Sequence, residues 1–447
     1  MSRPGIVFIA SHLGYPMDRT PLGGGAMVGL HLARRWAADP ALRLAALGSG
    51  AEPPFDNTET ARYVRVAAEP KGLVDLSELA YAKFCRRFER ETTSWLLGRR
   101  QEWRPEDTVV VVNDISEGPD LAALEANGYP IVSIWHVDVV DYFNKLYLRG
   151  LVAPSKVTKA YEALRRAKFS AAVPDVLKLV FEKQRETVQH SDLMVLPSRA
   201  MAETIERCYG SIRGIPPVGP RCLVQPWGAV GEWKAPDPAK VSELKKRYGL
   251  TPETDVIMTL SRISPEKGVH LLLEAVKKLE PRLKRDLVVI VCGEAAFMMG
   301  QAYMRKVRAA AAKLSGRARA VFPGYVGSAD KPAMFALADL FVSPSVHESY
   351  GLNVVEALRA GLPVLASDHY GVKDILKAEY GVRVPYESLG KAPAQLAREL
   401  ETLINDKPRL KKMGIAAADA AAGMTFERAA ANLRIASFGL LPKLAQL

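Results

Sequence analysis

The chain has 447 residues, of which 48% are hydrophobic and 25% charged, and its formal net charge is +12. This length is more than one hydrophobic core usually serves, so we expect two or three domains. No apolar run is long enough to span a bilayer, and the N-terminal segment is predicted to be a first strand, not a signal peptide. The positive charge favours acidic ligands such as nucleotides, phosphates or anionic membrane, whereas nucleic-acid-binding motifs are missing from the sequence.

The four cysteines, Cys85, Cys208, Cys222 and Cys292, are scattered along the chain without the spacing of metal ligands. We therefore expect reduced, structural thiols in a cytoplasmic protein.

Apolar, β-branched segments alternate with amphipathic helical segments throughout the sequence. Such alternation predicts parallel strands buried on both faces by helices, in doubly wound α/β sheets. The predicted strands are 6–10, 109–112, 130–135, 193–196, 256–260, 287–292, 340–342 and 363–366. The predicted helices include 26–38, 269–279, 303–314, 353–360 and an alanine-rich segment at 415–422.

A break rich in Gly, Trp and Pro falls at 228–237, and a new series of alternating strands and helices follows it. We therefore predict a first Rossmann-like domain at 1–228 and a second at 229–427. Residues 428–447 are predicted to cross back to the first domain. Ligands of such domains bind at the carboxyl ends of the strands.

Three glycines, Gly23, Gly24 and Gly25, follow Pro21 and Leu22 and open the first predicted helix. Glycine allows a backbone to approach a phosphate and leaves N–H donors free, although flexible connections have the same composition. The spacing does not fit the dinucleotide pattern G-x-G-x-x-G, so a nicotinamide site is not predicted.

His136 directly follows the predicted strand 130–135. A single histidine in this position is structural more often than catalytic, but the end of a strand is also where a ligand would bind.

Arg262 and Lys267 lie in the loop between the first strand of the second domain and its helix. Two fixed cations at this place can neutralise a diphosphate, with Arg as a planar fork and Lys as a point charge. The alternative is a solvated basic loop.

Glu348 and Glu356 lie eight positions apart, one in a glycine-containing turn and one on the second turn of the following helix. The strand, turn and helix in this order present backbone N–H groups and a positive helix end, which favours a phosphate. A carboxylate beside a phosphate site suits sugar hydroxyls, because it accepts hydrogen bonds from two of them. Taken alone, both acids could equally be solvated surface groups.

Together these motifs resemble the retaining nucleotide-sugar glycosyltransferases of family four, which have the GT-B fold. The resemblance covers residues 23–33 and most of 191–435, including the segments at 191–198 and 357–368. It implies two Rossmann-like domains that face each other across a cleft. Residues 40–130 and 140–190 match nothing that we can place.

The resemblance also implies a role for each matching residue. Arg262 and Lys267 would hold the donor diphosphate, with the backbone near Gly351 and Leu352 on its other side. Glu348 would contact the donor sugar and Glu356 the ribose. Gly23 and Gly24 would close over the diphosphate and the acceptor side. His136 would lie near the transferred sugar. Val326, within the segment 325–327, would lie in the donor pocket.

Two segments depart from the family pattern. The usual Gly-Gly-x-x-Glu is Tyr370-Gly371-Val-Lys-Asp374, and the usual Gly-x-Gly-Pro loop is Gly293-Glu294-Ala295-Ala296. These departures affect the expected shape of the donor pocket, not the phosphate cations.

No Asp-x-Asp pair, with which another class of transferases holds a divalent ion, occurs in the sequence. We expect fixed charge to stabilise the leaving diphosphate, so neither metal nor cofactor is predicted besides the nucleotide-sugar donor. Retention of configuration follows from the family likeness alone. The departing phosphate oxygen would deprotonate the acceptor, with Glu348 as a covalent nucleophile in the alternative.

A basic segment from 145 to 186 contains ten Lys or Arg and four Asp or Glu. It could dock on anionic membrane at the inner face of the cell, or its charges could form solvated helix faces.

Other classes of function remain open: a GT-B sugar-nucleotide epimerase, a phosphorylase, or a non-catalytic sugar-nucleotide-binding protein. The resemblance implies a hexosyltransferase that uses a UDP- or GDP-linked sugar, and the sequence names neither the sugar, the base nor the acceptor.

Overall fold

The computed structural model describes residues 3–16, 23–69, 73, 76–147, 152–168, 175–231, 233–295 and 300–442. Some residues of the predicted features lie outside these ranges. They are Pro21 and Leu22 before the glycines, Ala296, residues 148–151 and 169–174 of the basic segment, and residues 443–447.

The chain forms two units, each with its own sheet. Unit 1 comprises Met1–Trp227 and Glu427–Leu447, and unit 2 comprises Gly228–Phe426. The two chain crossings come together in an isolated parallel bridge between Ala229 and Thr425. Gly228 has a φ of 70°, and a Cβ there would lie 2.6 Å from the backbone of Thr425, so only glycine fits this crossing without strain.

Unit 1 contains a seven-stranded parallel sheet in the order β3-β2-β1-β4-β5-β6-β7. Its strands are β1 (Gly5–Ile9), β2 (Arg43–Gly48), β3 (Ala61–Arg65), β4 (Thr108–Val112), β5 (Ile131–Ile134), β6 (Leu193–Leu196) and β7 (Cys222–Val224). Its helices are α1 (Gly24–Ala37), α2 (Glu78–Leu97), α3 (Leu121–Ala126), α4 (Val139–Tyr147), α5 (Pro154–Arg166), α6 (Asp175–His190) and α7 (Arg199–Tyr209).

Unit 2 contains a six-stranded parallel sheet in the order β10-β9-β8-β11-β12-β13. Its strands are β8 (Asp255–Leu260), β9 (Leu287–Cys292), β10 (Ala318–Gly324), β11 (Leu340–Ser343), β12 (Val364–Ser367) and β13 (Gly381–Val384). Its helices are α8 (Pro238–Arg247), α9 (Val269–Leu279), α10 (Gly300–Ala311), α11 (Lys331–Phe335), α12 (Leu352–Arg359), α13 (Tyr370–Ile375), α14 (Ala392–Ile404) and α15 (Lys407–Ala422).

The final helix, α16 (Phe426–Phe438), returns the chain to unit 1. Arg434 on this helix forms a 2.7 Å ion pair with Asp39, which follows α1. The ion pair fixes the end of the chain beside the first helix of the same unit.

Both sheets are covered by helices, so their central strands are buried on both faces. Every residue of β1, β4 and β9 is buried, as the continuous β-branched runs predict. The predicted α/β class with two doubly wound, Rossmann-like sheets is confirmed. In each sheet the strand order reverses between two central strands, β1 and β4 in unit 1 and β8 and β11 in unit 2.

No helix among the described residues is long and apolar enough to cross a membrane. The four cysteines are free thiols, as predicted.

Candidate active site

The loops that follow β8 and β11 meet in unit 2, where the strand order of the sheet reverses. Such a switch point opens a crevice beyond the carboxyl ends of the strands. The backbone N–H of Val346, after β11, donates a 2.8 Å hydrogen bond to the carbonyl of Glu266, after β8. The predicted Arg/Lys loop and the predicted glutamate turn are thus joined through their backbones.

The loop after β8 has a fixed shape around Glu266. Ser264 Oγ donates a 2.5 Å hydrogen bond to Glu266 Oε1, and Arg262 Nη2 lies 3.7 Å from the same oxygen. Residues Pro265–Lys267 form a short 3₁₀ turn that ends at Gly268, in the left-handed region at a φ of 63°. A Cβ on Gly268 would lie 2.1 Å from the carbonyl oxygen of Pro344, so a glycine is needed for the two loops to meet.

Lys267 forms an ion pair with Glu348, and both side chains are mostly buried. Burial alone would raise the pKa of the Glu348 carboxyl, but the charge of Lys267 and the nearby His369 lower it to about 2. Glu348 is therefore ionised at any physiological pH, and it is not the solvated turn residue that its sequence position allows.

The N-terminus of α12 lies beside these charges. Gly351 caps the helix with a φ of 96°, and Asn353 Nδ2 donates a 2.9 Å hydrogen bond to the carbonyl of Leu260 at the end of β8. The first N–H groups of a helix have no partner within the helix, so those of Leu352 and Asn353 can bind an anion. Asn353 thereby anchors a potential phosphate site to β8, the strand that Arg262 follows.

Glu356, on the second turn of α12, forms a 2.6 Å ion pair with Lys331 at the start of α11. The side chains are 14% and 22% exposed, so this pair is also largely shielded from solvent. Lys331 was not predicted as a site residue, because a single lysine at a helix start has no distinguishing sequence pattern. Val326 lies in the loop before α11 and is 8% exposed.

The two segments that depart from the family pattern still make close backbone contacts through their glycines. A Cβ on Gly371 would lie 1.8 Å from the carbonyl oxygen of Tyr350, and one on Gly293 would lie 1.8 Å from that of Ser261. The N–H of Gly371 also donates a 3.3 Å hydrogen bond to the carbonyl of Glu348. The start of α13 therefore supports the turn that carries Glu348.

In unit 1, His136 lies just beyond β5 and contacts Asn113, which directly follows β4. His136 Nε2 and Asn113 Oδ1 are 3.1 Å apart. Burial lowers the pKa of His136 below its ordinary value, and the charge of Asp114 only partly opposes this. The imidazole is therefore neutral at physiological pH.

The glycine motif opens α1, with Gly23 as N-cap at a φ of 97° and Gly24 as the first helical residue. Gly25 packs directly on His136, because a Cβ at Gly25 would lie 2.7 Å from His136 Cγ. The third glycine thus has a steric role against the histidine ring, and no sequence pattern predicts this role.

Acidic side chains lie next to Asn113. His12 Nδ1 donates a 3.2 Å hydrogen bond to Asp114 Oδ2. Burial would raise the pKa of Asp114, but His12 lowers it overall. Burial and the neighbouring Asp114 raise the pKa of Glu117 to about 7. His12 follows the predicted strand 6–10, and Asp114 and Glu117 follow the predicted strand 109–112. Their positions at the ends of strands are the sequence signal that could have identified them.

The predicted site residues thus form two groups. Unit 2 brings together one group around β8 and β11, and unit 1 brings together the other around β4, β5 and the start of α1. The first group is Arg262, Lys267, Glu348, Gly351, Leu352 and Glu356, and the second is Gly23, Gly24 and His136. Val326 lies in unit 2 as well, in the loop between β10 and α11.

Comparison with known proteins shows what the second unit and the fold are similar to. Residues 240–420 match the model of glycosyl transferases group 1. The 2-deoxystreptamine glucosyltransferase of Streptomyces kanamyceticus is 36% identical over 173 residues, which are 38% of this chain and 41% of that protein. A D-inositol 3-phosphate glycosyltransferase of Corynebacterium diphtheriae is 29% identical over 259 residues, 56% of each protein. The chain spans about half the length of these curated relatives.

Solved structures match the fold over almost the whole chain. Sucrose-phosphate synthase from Thermosynechococcus elongatus has a TM-score of 0.71 at 16% identity, covering 98% of this chain and 99% of that one. Anabaena HepE in complex with UDP and glucose has a TM-score of 0.64 at 17% identity, covering 98% and 100%. The predicted resemblance is confirmed at the level of the fold and of similarity: the chain has the GT-B fold, and residues 240–420 of its second unit are similar to the glycosyl transferases group 1.

Proposed function

We propose that this chain is a retaining hexosyltransferase that uses a UDP- or GDP-linked sugar and a hydroxyl acceptor, without a metal ion. The acceptor would be a glycan, a glycolipid or a small metabolite. One observation carries the proposal. Arg262, Lys267, Glu348 and the N-terminus of α12 lie on the two loops that meet where the strand order reverses in the sheet of unit 2, and the same helix carries Glu356 with its partner Lys331.

The donor diphosphate would bind between Arg262, Lys267 and the first N–H groups of α12. Arg262 and the N-terminus of α12 are fixed before the donor binds, because Asn353 anchors the helix to β8 and the loop of Glu266 holds Arg262. Lys267 is paired with Glu348 until the diphosphate binds. As the glycosidic bond breaks, negative charge grows on the departing phosphate. Preorganised donors stabilise that charge without reorganisation of solvent, which is the largest catalytic contribution that this site can make.

Lys267 has a second function in the proposal. Without donor it neutralises Glu348. When the diphosphate draws Lys267 towards it, the hydroxyls of the donor sugar take its place on the Glu348 carboxylate. An ionised carboxylate accepts two such hydrogen bonds, and each is stronger than one between neutral groups.

Glu356 would bind the ribose hydroxyls, and its ion pair with Lys331 would fix the carboxylate for them. Val326, in the loop before α11, would border the donor pocket. Unit 1 would supply the acceptor side, with Gly23 and Gly24 over the diphosphate and His136 near the transferred sugar. The departing phosphate oxygen would deprotonate the acceptor hydroxyl. The acceptor would then attack the sugar ring from the same face that the diphosphate leaves, so the anomeric configuration would be retained.

The relatives support sugar transfer from a nucleotide. The 2-deoxystreptamine glucosyltransferase and the inositol phosphate glycosyltransferase are named for glycosyl transfer, and HepE was solved with UDP-glucose. Their named acceptors differ from one another, so they do not select an acceptor for this chain.

A thermal-shift screen tests the donor site. We expect either UDP or GDP to raise the melting temperature most, and to do so equally in EDTA, because only fixed charges hold the diphosphate. A ligand at a hundred times its Kd stabilises the folded protein by about 2.7 kcal/mol. No shift with any of UDP, GDP and ADP would contradict the proposal, and a shift abolished by EDTA would contradict the metal-free site.

The same preparation separates the alternative functions. An epimerase would convert the donor sugar with no acceptor present, and a phosphorylase would release sugar phosphate from a glycan in inorganic phosphate. A non-catalytic binding protein would show the nucleotide shift and no turnover with any acceptor.

We further propose that the protein acts in the cytoplasm and that its basic segment contacts anionic membrane. On α5, Lys156, Lys159 and Arg166 are exposed, and the apolar Leu164 is 44% exposed beside them. Binding to vesicles containing phosphatidylglycerol should exceed binding to neutral vesicles and fall with salt. Equal pelleting with both kinds of vesicle would exclude this contact.

A further inference from the structure

The ring of His136 is held from several directions within unit 1. Asn113 contacts Nε2, Gly25 of α1 packs against the Cγ–Cδ2 edge, and the buried Trp227 lies 6.1 Å away between ring centroids. His136 itself remains partly exposed. This arrangement fixes the orientation of the ring and still leaves part of it accessible.

The amide of Asn113 can be oriented in only one way. Its Nδ2 lies 3.2 Å from the carbonyl oxygen of Gly25 and 3.2 Å from Asp114 Oδ2. The carbonyl oxygen can only accept a hydrogen bond, and the Asp114 carboxylate also only accepts when it is ionised. Burial would raise the pKa of Asp114, but the neighbouring His12 lowers it overall, which favours the ionised form. The amide nitrogen must therefore donate to them, so the amide oxygen faces His136.

An amide oxygen cannot donate, so the hydrogen atom between Asn113 Oδ1 and His136 Nε2 must lie on the imidazole. Since His136 is neutral, its other nitrogen, Nδ1, carries a lone pair. In addition, Asp114 polarises the Asn113 amide through the Nδ2–H, which strengthens Oδ1 as an acceptor. The negative charge of Asp114 thus acts on His136 through Asn113.

Helix α1 can approach this chain of hydrogen bonds only because it has glycines at two positions one turn apart. A Cβ on Gly25 would lie 2.7 Å from His136 Cγ, and one on Gly29 would lie 2.9 Å from Asn113 Nδ2. The helix therefore closes over both side chains and limits their alternative rotamers.

We propose that Asn113 is a positioning residue that holds His136 as the neutral Nε2–H tautomer, so that Nδ1 accepts a hydrogen bond from a substrate hydroxyl. His136 then orients a sugar hydroxyl, and it does not act as an imidazolium acid. The effect on turnover rests on the proposed function, whereas the tautomer does not.

Histidine-labelled protein tests the tautomer directly, because the chain has only seven histidines. Long-range ¹H–¹⁵N spectra at neutral pH should show His136 with a protonated Nε2 and an unprotonated Nδ1, assigned by the signals lost in His136→Gln. Asn113→Leu should give a mixture of tautomers. Asp114→Asn, which leaves the amide oxygen of Asn113 in place, should retain the Nε2–H form.

Kinetics supply the second readout. Asn113→Leu should lower kcat by roughly a hundredfold, the usual contribution of an oriented histidine, and leave the donor KM unchanged. Asn127→Leu is the matched control: Asn127 also makes side-chain hydrogen bonds at the end of a unit 1 helix, α3, and this variant should keep wild-type kcat.

An Nδ1–H tautomer or an imidazolium in the wild type would overturn the inference. So would a single Nε2–H tautomer in Asn113→Leu. If no acceptor gives turnover with the wild type, the proposed function fails, and the spectra still decide the role of Asn113.

Discussion

Replacing Lys267 with methionine is expected to lower turnover at least about a hundredfold, because a preorganised donor to developing charge contributes about 3–4 kcal/mol. The variant also leaves Glu348 buried without its cation. Both losses reduce catalysis, and the second also lowers stability. Initial rates with saturating donor and acceptor measure the first, and urea unfolding measures the second.

The unpaired carboxylate makes the effect dependent on pH. In the wild type the pKa of Glu348 is about 2 against an ordinary 4.5, so its ionised form stabilises the fold fully above pH 4.5, and this contribution is lost as the pH falls through 2. Without Lys267 the pKa of Glu348 rises, because burial is then less opposed. The loss of unfolding free energy from pH 7 to pH 4 should therefore be larger in the wild type than in Lys267→Met, in which the carboxyl contributes a smaller loss or a gain over this interval.

A double-mutant cycle separates the two losses. Adding Glu348→Gln to Lys267→Met should restore stability, since no buried charge remains unpaired, and should not restore turnover. Lys277→Met is the control, because Lys277 pairs with Glu280 on the same unit and is 44% exposed. Wild-type turnover in Lys267→Met would exclude the phosphate role, and equal losses in Lys277→Met would indicate a general effect of removing a lysine.

Gly371→Ala is expected to have the second large effect, on both stability and turnover. Its new Cβ would lie 1.8 Å from the carbonyl oxygen of Tyr350, a backbone atom that cannot rotate away. Either α13 or the turn of Glu348 must therefore move. Overpacking of this kind costs about 1–3 kcal/mol. Since the displaced turn carries Glu348, turnover should fall more than the remaining folded fraction accounts for.

Gly390→Ala provides the matched control for this substitution. Gly390 is exposed, and the nearest atom to its added Cβ, Ser388 Oγ, would be 4.0 Å away. Thermal unfolding and initial rates should both match the wild type. If Gly371→Ala unfolds and turns over like Gly390→Ala, the close contact between α13 and the Glu348 turn is wrong.

Local sequence patterns predicted most of the central strands. Runs such as 109–112 and 287–292 are continuous and β-branched, and they form β4 and β9, which are buried on both faces. The helix of Glu356 was predicted at 353–360 and extends over Leu352–Arg359. In these segments intrinsic propensity and burial favour the same structure, so a single sequence is sufficient.

Strands in which intrinsic propensity and burial do not both favour a strand were not predicted from the sequence. β2 has the sequence Arg-Leu-Ala-Ala-Leu-Gly, which has no β-branched residue, and β10 contains Pro323. Both strands lie outward of β1 or β8 in their sheets and form because a neighbouring strand pairs with them. Such pairing depends on residues distant in sequence, which override weak local propensity.

The sequence by itself determined which residues of unit 2 carry the charge: Arg262, Lys267, Glu348 and Glu356 fall in strand–loop–helix patterns that have few alternatives. Only the tertiary structure decided their partners. The partners are far apart in the sequence. The separation is 81 positions for Lys267 and Glu348, 25 for Lys331 and Glu356, and 23 for Asn113 and His136. The order of strands in the sheet brings such residues together, and no local pattern records that order.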